Sequence, residues 1–197
     1  MLKTDFINME YEARVMISEE QYHAMISYYK NSKKEKKYSV NVNTYFDYDD
    51  LSLTNNHIVL RARNISDKEY ELTLKAKQEK GDIEINHALT SNEYNIILNN
   101  HIIPDSNVKE ELVKQGIDFT KLKLIATLRT ERLELQYKRF LLVIDKNEFR
   151  GRVDYNVEVE SDSKNSAKRY LIQKIRPFGV TYKKGYISKS RRAIFDL

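Results

Sequence analysis

Glu10, Glu12 and Arg14 alternate along the chain with Met9, Tyr11, Ala13 and Val15. A strand repeats its side-chain direction every second residue, so these three charges share one face and the apolar side chains take the other. The spelling returns in 57–64, where Arg61 and Arg63 oppose Ile58, Leu60 and Ala62. In 69–78, Glu71, Thr73, Lys75 and Lys77 oppose Tyr70, Leu72, Leu74 and Ala76. In 152–160, Asp154, Asn156, Glu158 and Glu160 oppose Val153, Tyr155, Val157 and Val159. A chain written this way must cover one face of each strand with apolar partners and bring the other to water.

The remaining punctuation predicts an α+β domain. Strands are expected at about 9–17, 39–48, 57–64, 69–78, 83–88, 121–136, 138–147 and 152–161. Ser18-Glu19-Glu20-Gln21 spells a capping box for a helix over about 19–30. Thr90 to Glu93 and Asp105-Ser106 are N-cap candidates for two short helices, 92–100 and 106–115, the second stopped by Gly116. A helix over about 163–176 ends near Pro177 and Gly179. Eight strands with hairpin-like links and helices inserted between them predict an antiparallel β-barrel with helices packed outside.

Two arrangements satisfy the charged faces. One is an open sheet with a solvated charged face, the commoner solution among proteins. The other is a closed barrel with a polar interior, where water is scarce and a bound anion is strongly held. Acids beside bases suit a polyphosphate held through a divalent metal. Carboxylate oxygens are the ligands that Mg2+ and Mn2+ prefer, and Arg forks match phosphate oxygens bidentately. A single Glu-x-Glu or Arg-x-Arg pair carries little meaning; acids first, bases next and acids last is a more specific order.

Composition narrows the chemistry further. The 197 residues contain no cysteine, which excludes disulfides, thiolate metal sites and cysteine nucleophiles. The four histidines are scattered, and five glycines argue against a Gly-rich phosphate loop, so side chains must do most of any phosphate binding. The net charge of +5 permits an acidic partner without requiring one. No stretch approaches membrane-spanning length, and the expectation is a cytoplasmic protein without a membrane partner. Most of the fourteen tyrosines fall on apolar faces and read as packing, so a nucleic-acid partner is not expected.

The order of charged blocks resembles the CYTH family, the triphosphate tunnel metalloenzymes. Glu10-Tyr11-Glu12-Ala13-Arg14 stands where that family has Glu-x-Glu-x-Lys. Thr44-Tyr45-Phe46-Asp47, Leu51-Ser52-Leu53 and Leu60-Arg61-Ala62-Arg63 resemble its next block, and Leu72 through Lys77 the third. Leu128 to Arg132, Ile144-Asp145, Val157 to Glu160, and Ser188-Lys189 with Arg191 and Arg192 follow in the family's order.

The resemblance covers nearly the whole chain. It implies a single CYTH domain over 1–197 with a helical insertion at about 90–120, built as an eight-stranded triphosphate tunnel. It also implies Mg2+- or Mn2+-dependent hydrolysis of a small triphosphate, inorganic triphosphate or thiamine triphosphate. Carried over by position, Glu10, Glu12, Asp145, Glu158 and Glu160 would hold metal. Arg61, Arg63, Lys75, Lys77, Arg129 and Lys189 would hold substrate, with Glu10, Glu12 and Arg14 catalytic. A homodimer is known within the family, but no exposed apolar stripe requires one here.

Arg14 departs from the signature, replacing a compact donor with a planar fork. Arg129 and Arg132 lie three apart and so face opposite sides; Arg129 is taken as inward and Arg132 as the reserve. Glu84 is read as a surface residue, Tyr45 as core, and the basic stretch 183–192 as a lid or closing strand. An adenylyl cyclase of the same fold and a non-catalytic polyphosphate or nucleotide binder are the alternatives.

Overall fold

The computed structural model describes residues 6–32, 35–78, 81–183 and 185–195, with side chains described for 11–32, 35–76, 83–183 and 185–195. In chain order these form β1 (Phe6–Ile17), α1 (Glu19–Lys30), β2 (Lys36–Asp47), α2 (Ser52–Asn55), β3 (Ile58–Ile65), β4 (Glu69–Gln78) and β5 (Gly81–Leu89). There follow α3 (Ser91–Asn100), α4 (Asn107–Lys114), β6 (Lys123–Tyr137), β7 (Phe140–Phe149), β8 (Arg152–Ser161), α5 (Lys164–Ile175) and α6 (Lys189–Phe195). The hydrogen-bonded strand order is β1-β5-β4-β3-β2-β6-β7-β8, closed as a barrel. The α+β class and the eight antiparallel strands are as the alternation predicts.

Local chemistry explains most element ends. Ser18 caps α1 in a capping box with Gln21, and Thr90 does the same for α3 with Glu93. Ser66 and Asp67 both adopt positive φ in the β3–β4 turn, as do Arg150 and Gly151 between β7 and β8. Turns of that handedness match the twist of the strands they join.

The Cα framework divides into two compact units. The first comprises 41–128 with the start of β1 and α6; the second comprises 10–40 and 129–188. In the second, the apolar faces of β1, β6, β7 and β8 (Ala13, Val15, Leu133, Leu135, Leu142, Ile144, Val157, Val159) meet α1 through Tyr22, Met25 and Tyr29. They meet α5 through Ala167, Leu171 and Ile175. Each fully buried Val, Leu or Ile among them contributes about 1.5–3 kcal/mol. In the first, Leu60, Ala62, Leu72, Leu74 and Ile85 of β3–β5 are covered by Tyr94 and Ile97 of α3 and by Val108 and Leu112 of α4.

Two elements differ from the sequence expectation. α2 was not foreseen, because its cap does not come from the preceding residue. Leu51 is left-handed and makes no side-chain cap. The fully buried carboxylate of Asp47 accepts instead from the backbone N–H groups of Leu53 and Thr54, each at 2.9 Å, and from the Thr54 hydroxyl at 2.6 Å. The basic stretch expected as a lid or closing strand is helical over its second half. In α6, Ser190, Arg192, Ala193 and Ile194 are buried, so the run of bases concealed a packed helical face.

Candidate functional site

The strand faces opposite the apolar core are polar, and many of their residues too are buried. In the second unit Asp145, Asn147 and Asn156 are 0% exposed, and Glu158 and Thr130 are also buried. In the first, Asn41, Asn43, Thr73, Glu84 and Asn86 are buried. A solvated open sheet would leave such residues exposed. Their burial, with the closed strand order, selects the polar-interior arrangement over the open sheet.

The polar face of the second unit is mostly acidic. Register places Arg14 opposite Glu158, Glu12 opposite Glu160, Arg132 opposite Asp145, and Asp145 opposite Asn156. Arg132 engages Asp145 bidentately, Nε to Oδ1 at 2.9 Å and Nη2 to Oδ2 at 3.0 Å, and lies 3.7 Å from Glu158 and 3.6 Å from Glu134. Burial opposes the charge of this guanidinium, but Asp145 and Glu158 outweigh it and hold the group above its ordinary pKa. The Asn156 amide donates to Asp145 Oδ2 at 3.4 Å and to Glu158 Oε1 at 3.3 Å, and its oxygen accepts from Asn147 at 2.7 Å. Arg14 pairs with Glu12 and with Glu158, the latter at 3.7 Å.

The polar face of the first unit carries the bases. Tyr45 lies opposite Arg61 and Asn43 opposite Arg63 on β2 and β3; Lys75 lies opposite Glu84 and Thr73 opposite Asn86 on β4 and β5. Glu84 joins two of the cations, 3.4 Å from Arg61 Nη2 and 3.3 Å from Lys75 Nζ. Burial raises its pKa, but Arg61, Lys75, Arg63 and an Asn86 hydrogen bond together lower it to about 2. Arg63 donates to Asn43 Oδ1 at 2.8 Å and approaches Glu71 at 3.8 Å. The Arg61 Nε is buried and has no hydrogen-bond partner among the described residues.

Of the residues expected at a site, Glu12, Arg14, Asp145, Glu158 and Glu160 thus share one polar face, and Arg61, Arg63 and Lys75 share another. The side chains of Glu10 and Lys77 lie outside the described residues. Lys189 is half-buried at the start of α6.

Three expectations are corrected. The uninterrupted β6–β7 register puts Arg132, with its side chain 13% exposed, on the acid face. Arg129, 39% exposed, lies on the opposite face, held by Glu131 at 2.7 Å and Glu148 at 3.0 Å. Glu84 is buried between cations, not at the surface, and the half-buried Arg61 and Lys75 supply the counter-charge that makes its burial tolerable. Tyr45 is buried as expected, but on the arginine face and outside both apolar clusters. Asn43, Asn86 and Asn147 were missed: each is an uncharged amide on an alternating strand, a signal shared with any solvated sheet.

Hard divalent cations take six or more oxygen ligands, chiefly carboxylates. Glu12, Asp145, Glu158 and Glu160, with the amide oxygens of Asn147 and Asn156, are donors of that kind, so the set fits such an ion chemically. Among the described residues no three Asp, Glu or His are gathered closely enough to grip one as they stand. Arg14 and Arg132 reach into the acid set.

The comparisons with known proteins agree with this geometry. A Bacillus subtilis (strain 168) protein named "Putative triphosphatase YjbK" is 28% identical over 146 residues, which is 74% of this chain and 75% of that protein. A Bacillus halodurans crystal structure described as a "putative adenylate cyclase" superposes with a TM-score of 0.84 at 26% identity, covering 94% of this chain and 97% of the other. A Hippeastrum protein, HpAC1, shares the fold at a TM-score of 0.79 and 18% identity, over 93% of this chain and 94% of its own. The CYTH domain model matches residues 8–186, nearly the full length, and the chain belongs to the CYTH family.

Proposed function

We propose that this protein hydrolyses a small linear triphosphate, inorganic triphosphate or thiamine triphosphate, with Mg2+ or Mn2+. The observation that carries the reading is the separation of buried and half-buried charge in a chain of this family. An acid-rich polar face holds Glu12, Asp145, Glu158 and Glu160, and a base-rich one holds Arg61, Arg63 and Lys75. That both serve one substrate is part of the proposal and rests on family membership.

Arg61 and Arg63 present planar forks to phosphate oxygens, and Lys75 neutralises remaining charge. Glu84 holds Arg61 and Lys75 in place until an anion replaces part of its contacts. Glu12, Asp145, Glu158 and Glu160 hold the cation, with Asp145 and Glu158 aimed by the Asn156 amide. When bound, a divalent ion supplies neutralisation of phosphate charge and a coordinated water of lowered pKa. Lys77 and Lys189 complete the substrate contacts in this reading, and Arg132 takes the place first given to Arg129. Family members are named as triphosphatases and as adenylate cyclases, so cyclisation of ATP is the second reading.

The test is release of phosphate from inorganic triphosphate, thiamine triphosphate and ATP, with cyclic AMP measured in parallel, with and without each metal. Metal-dependent phosphate release from one substrate, abolished by Glu158→Gln, is expected. Cyclic AMP without phosphate release would establish the second reading. Binding without turnover of any of the three would make the protein a polyphosphate or nucleotide binder.

A further inference from the structure

Arg14, like Arg132, touches carboxylates on two strands of the acid face. It pairs with Glu12 on β1 and, across the strand pair, with Glu158 on β8, Nε to Oε1 at 3.7 Å. Its guanidinium lies over the ring of Tyr186, 5.2 Å from the centroid. Tyr186 comes from the irregular segment before α6 and is half-buried. A planar cation between two carboxylates, backed by an aromatic face, is held by charge on one side and by the ring quadrupole on the other.

We propose that Arg14, clamped by Tyr186, is a resident counter-cation of Glu12 and, beside Arg132, of Glu158, and sets how tightly the acid face takes a divalent ion. Tyr186 is then a positioning residue that acts through Arg14. The inference rests on the metal-dependent reading above. For Glu12 and Glu158 to coordinate a metal they must exchange their contacts with the guanidinium. A fork that touches both acids and is stacked on a ring resists that exchange more than a flexible, well-hydrated lysine ammonium does. Removing the clamp therefore tightens metal binding, whereas ordinary structural damage beside a metal site weakens it.

Binding of Mn2+ to the full chain, without substrate, is read from the free-ion electron paramagnetic resonance signal. The variants are Arg14→Gln, Arg14→Lys, Tyr186→Leu, Tyr186→Phe and Glu158→Gln, with circular dichroism to confirm folding. Arg14→Gln is expected to tighten binding by about tenfold. Tyr186→Leu should tighten it about fivefold, the factor that a partly buried cation–π contact carries. Tyr186→Phe keeps the ring and changes nothing, and Tyr186→Leu adds nothing to Arg14→Gln. Should Arg14→Gln not fold, Arg14→Lys and Tyr186→Leu carry the same sign. Equal or weaker Mn2+ binding in Arg14→Gln, Arg14→Lys and Tyr186→Leu, with wild-type binding intact and lost in Glu158→Gln, overturns the clamp and leaves the metal reading standing. Absence of Mn2+ binding in every variant overturns the metal reading and the clamp with it.

Discussion

Glu84→Gln removes a negative charge that joins Arg61 and Lys75, while preserving shape. At separations of 3.4 and 3.3 Å each contact amounts to roughly 5 kcal/mol in an effective dielectric of about 20, before the cost of burying the carboxylate. The net effect is smaller. Lowering the carboxyl from its ordinary 4.5 to about 2, at about 1.4 kcal/mol per pH unit, corresponds to about 3 kcal/mol. Because the folded pKa lies below the unfolded one, this stability is fully present above about pH 5 and is lost as pH falls toward 2. Glu84→Gln should therefore lower the urea-derived stability at pH 7 by about 3 kcal/mol, or the melting temperature by roughly 6–12 °C. Its stability curve should also be flatter than wild type between pH 5 and pH 2. Tripolyphosphate should raise the melting temperature of the variant more than that of wild type, since the anion restores the missing charge. A variant as stable as wild type at pH 7, with the same acid slope, would show that Glu84 does not hold these cations.

Three further outcomes follow from the same geometry. Arg132→Ala leaves the fully buried Asp145 without its bidentate partner and should cost about 3–5 kcal/mol, while Arg129→Ala, whose partners are about one-third exposed, should cost less than about 1. Equal urea midpoints for the two would refute the face assignment. Thr90→Ala removes the α3 cap and should cost about 1 kcal/mol by thermal unfolding, whereas Ser91→Ala should leave the melting temperature nearly unchanged. Ile144→Ala, at a position with no exposure between β7 and its covering helices, should cost about 2–5 kcal/mol by urea denaturation without altering Mn2+ binding.

Much of this architecture is written locally. Alternation over Glu10 to Val15, Ile58 to Arg63, Tyr70 to Lys77 and Val153 to Glu160 marks strands and divides their residues between two faces, because strand geometry repeats every two residues. The Ser18 and Thr90 capping boxes mark helix starts because their hydrogen bonds close within four residues. α2 was illegible for the converse reason: its carboxylate cap arrives from Asp47, outside the helix and its flanking residue. α6 was hidden because the bases Lys189, Arg191 and Arg192 read as part of a lid or closing strand, whereas Arg192 is buried in a helix.

The site divides along the same line. Sequence order alone determined that Arg61 and Arg63 share a face, that Glu158 and Glu160 share a face, and that Arg129 and Arg132 cannot, since parity along one strand settles it. Only tertiary structure decided which of those two arginines meets Asp145, that Glu84 is buried against Arg61 and Lys75, and that Arg14 reaches both Glu158 and Tyr186. Each of these depends on the register between strands or on a segment far away in the chain. Burial of a charged face depends on closure of the whole sheet, and no local repeat encodes it.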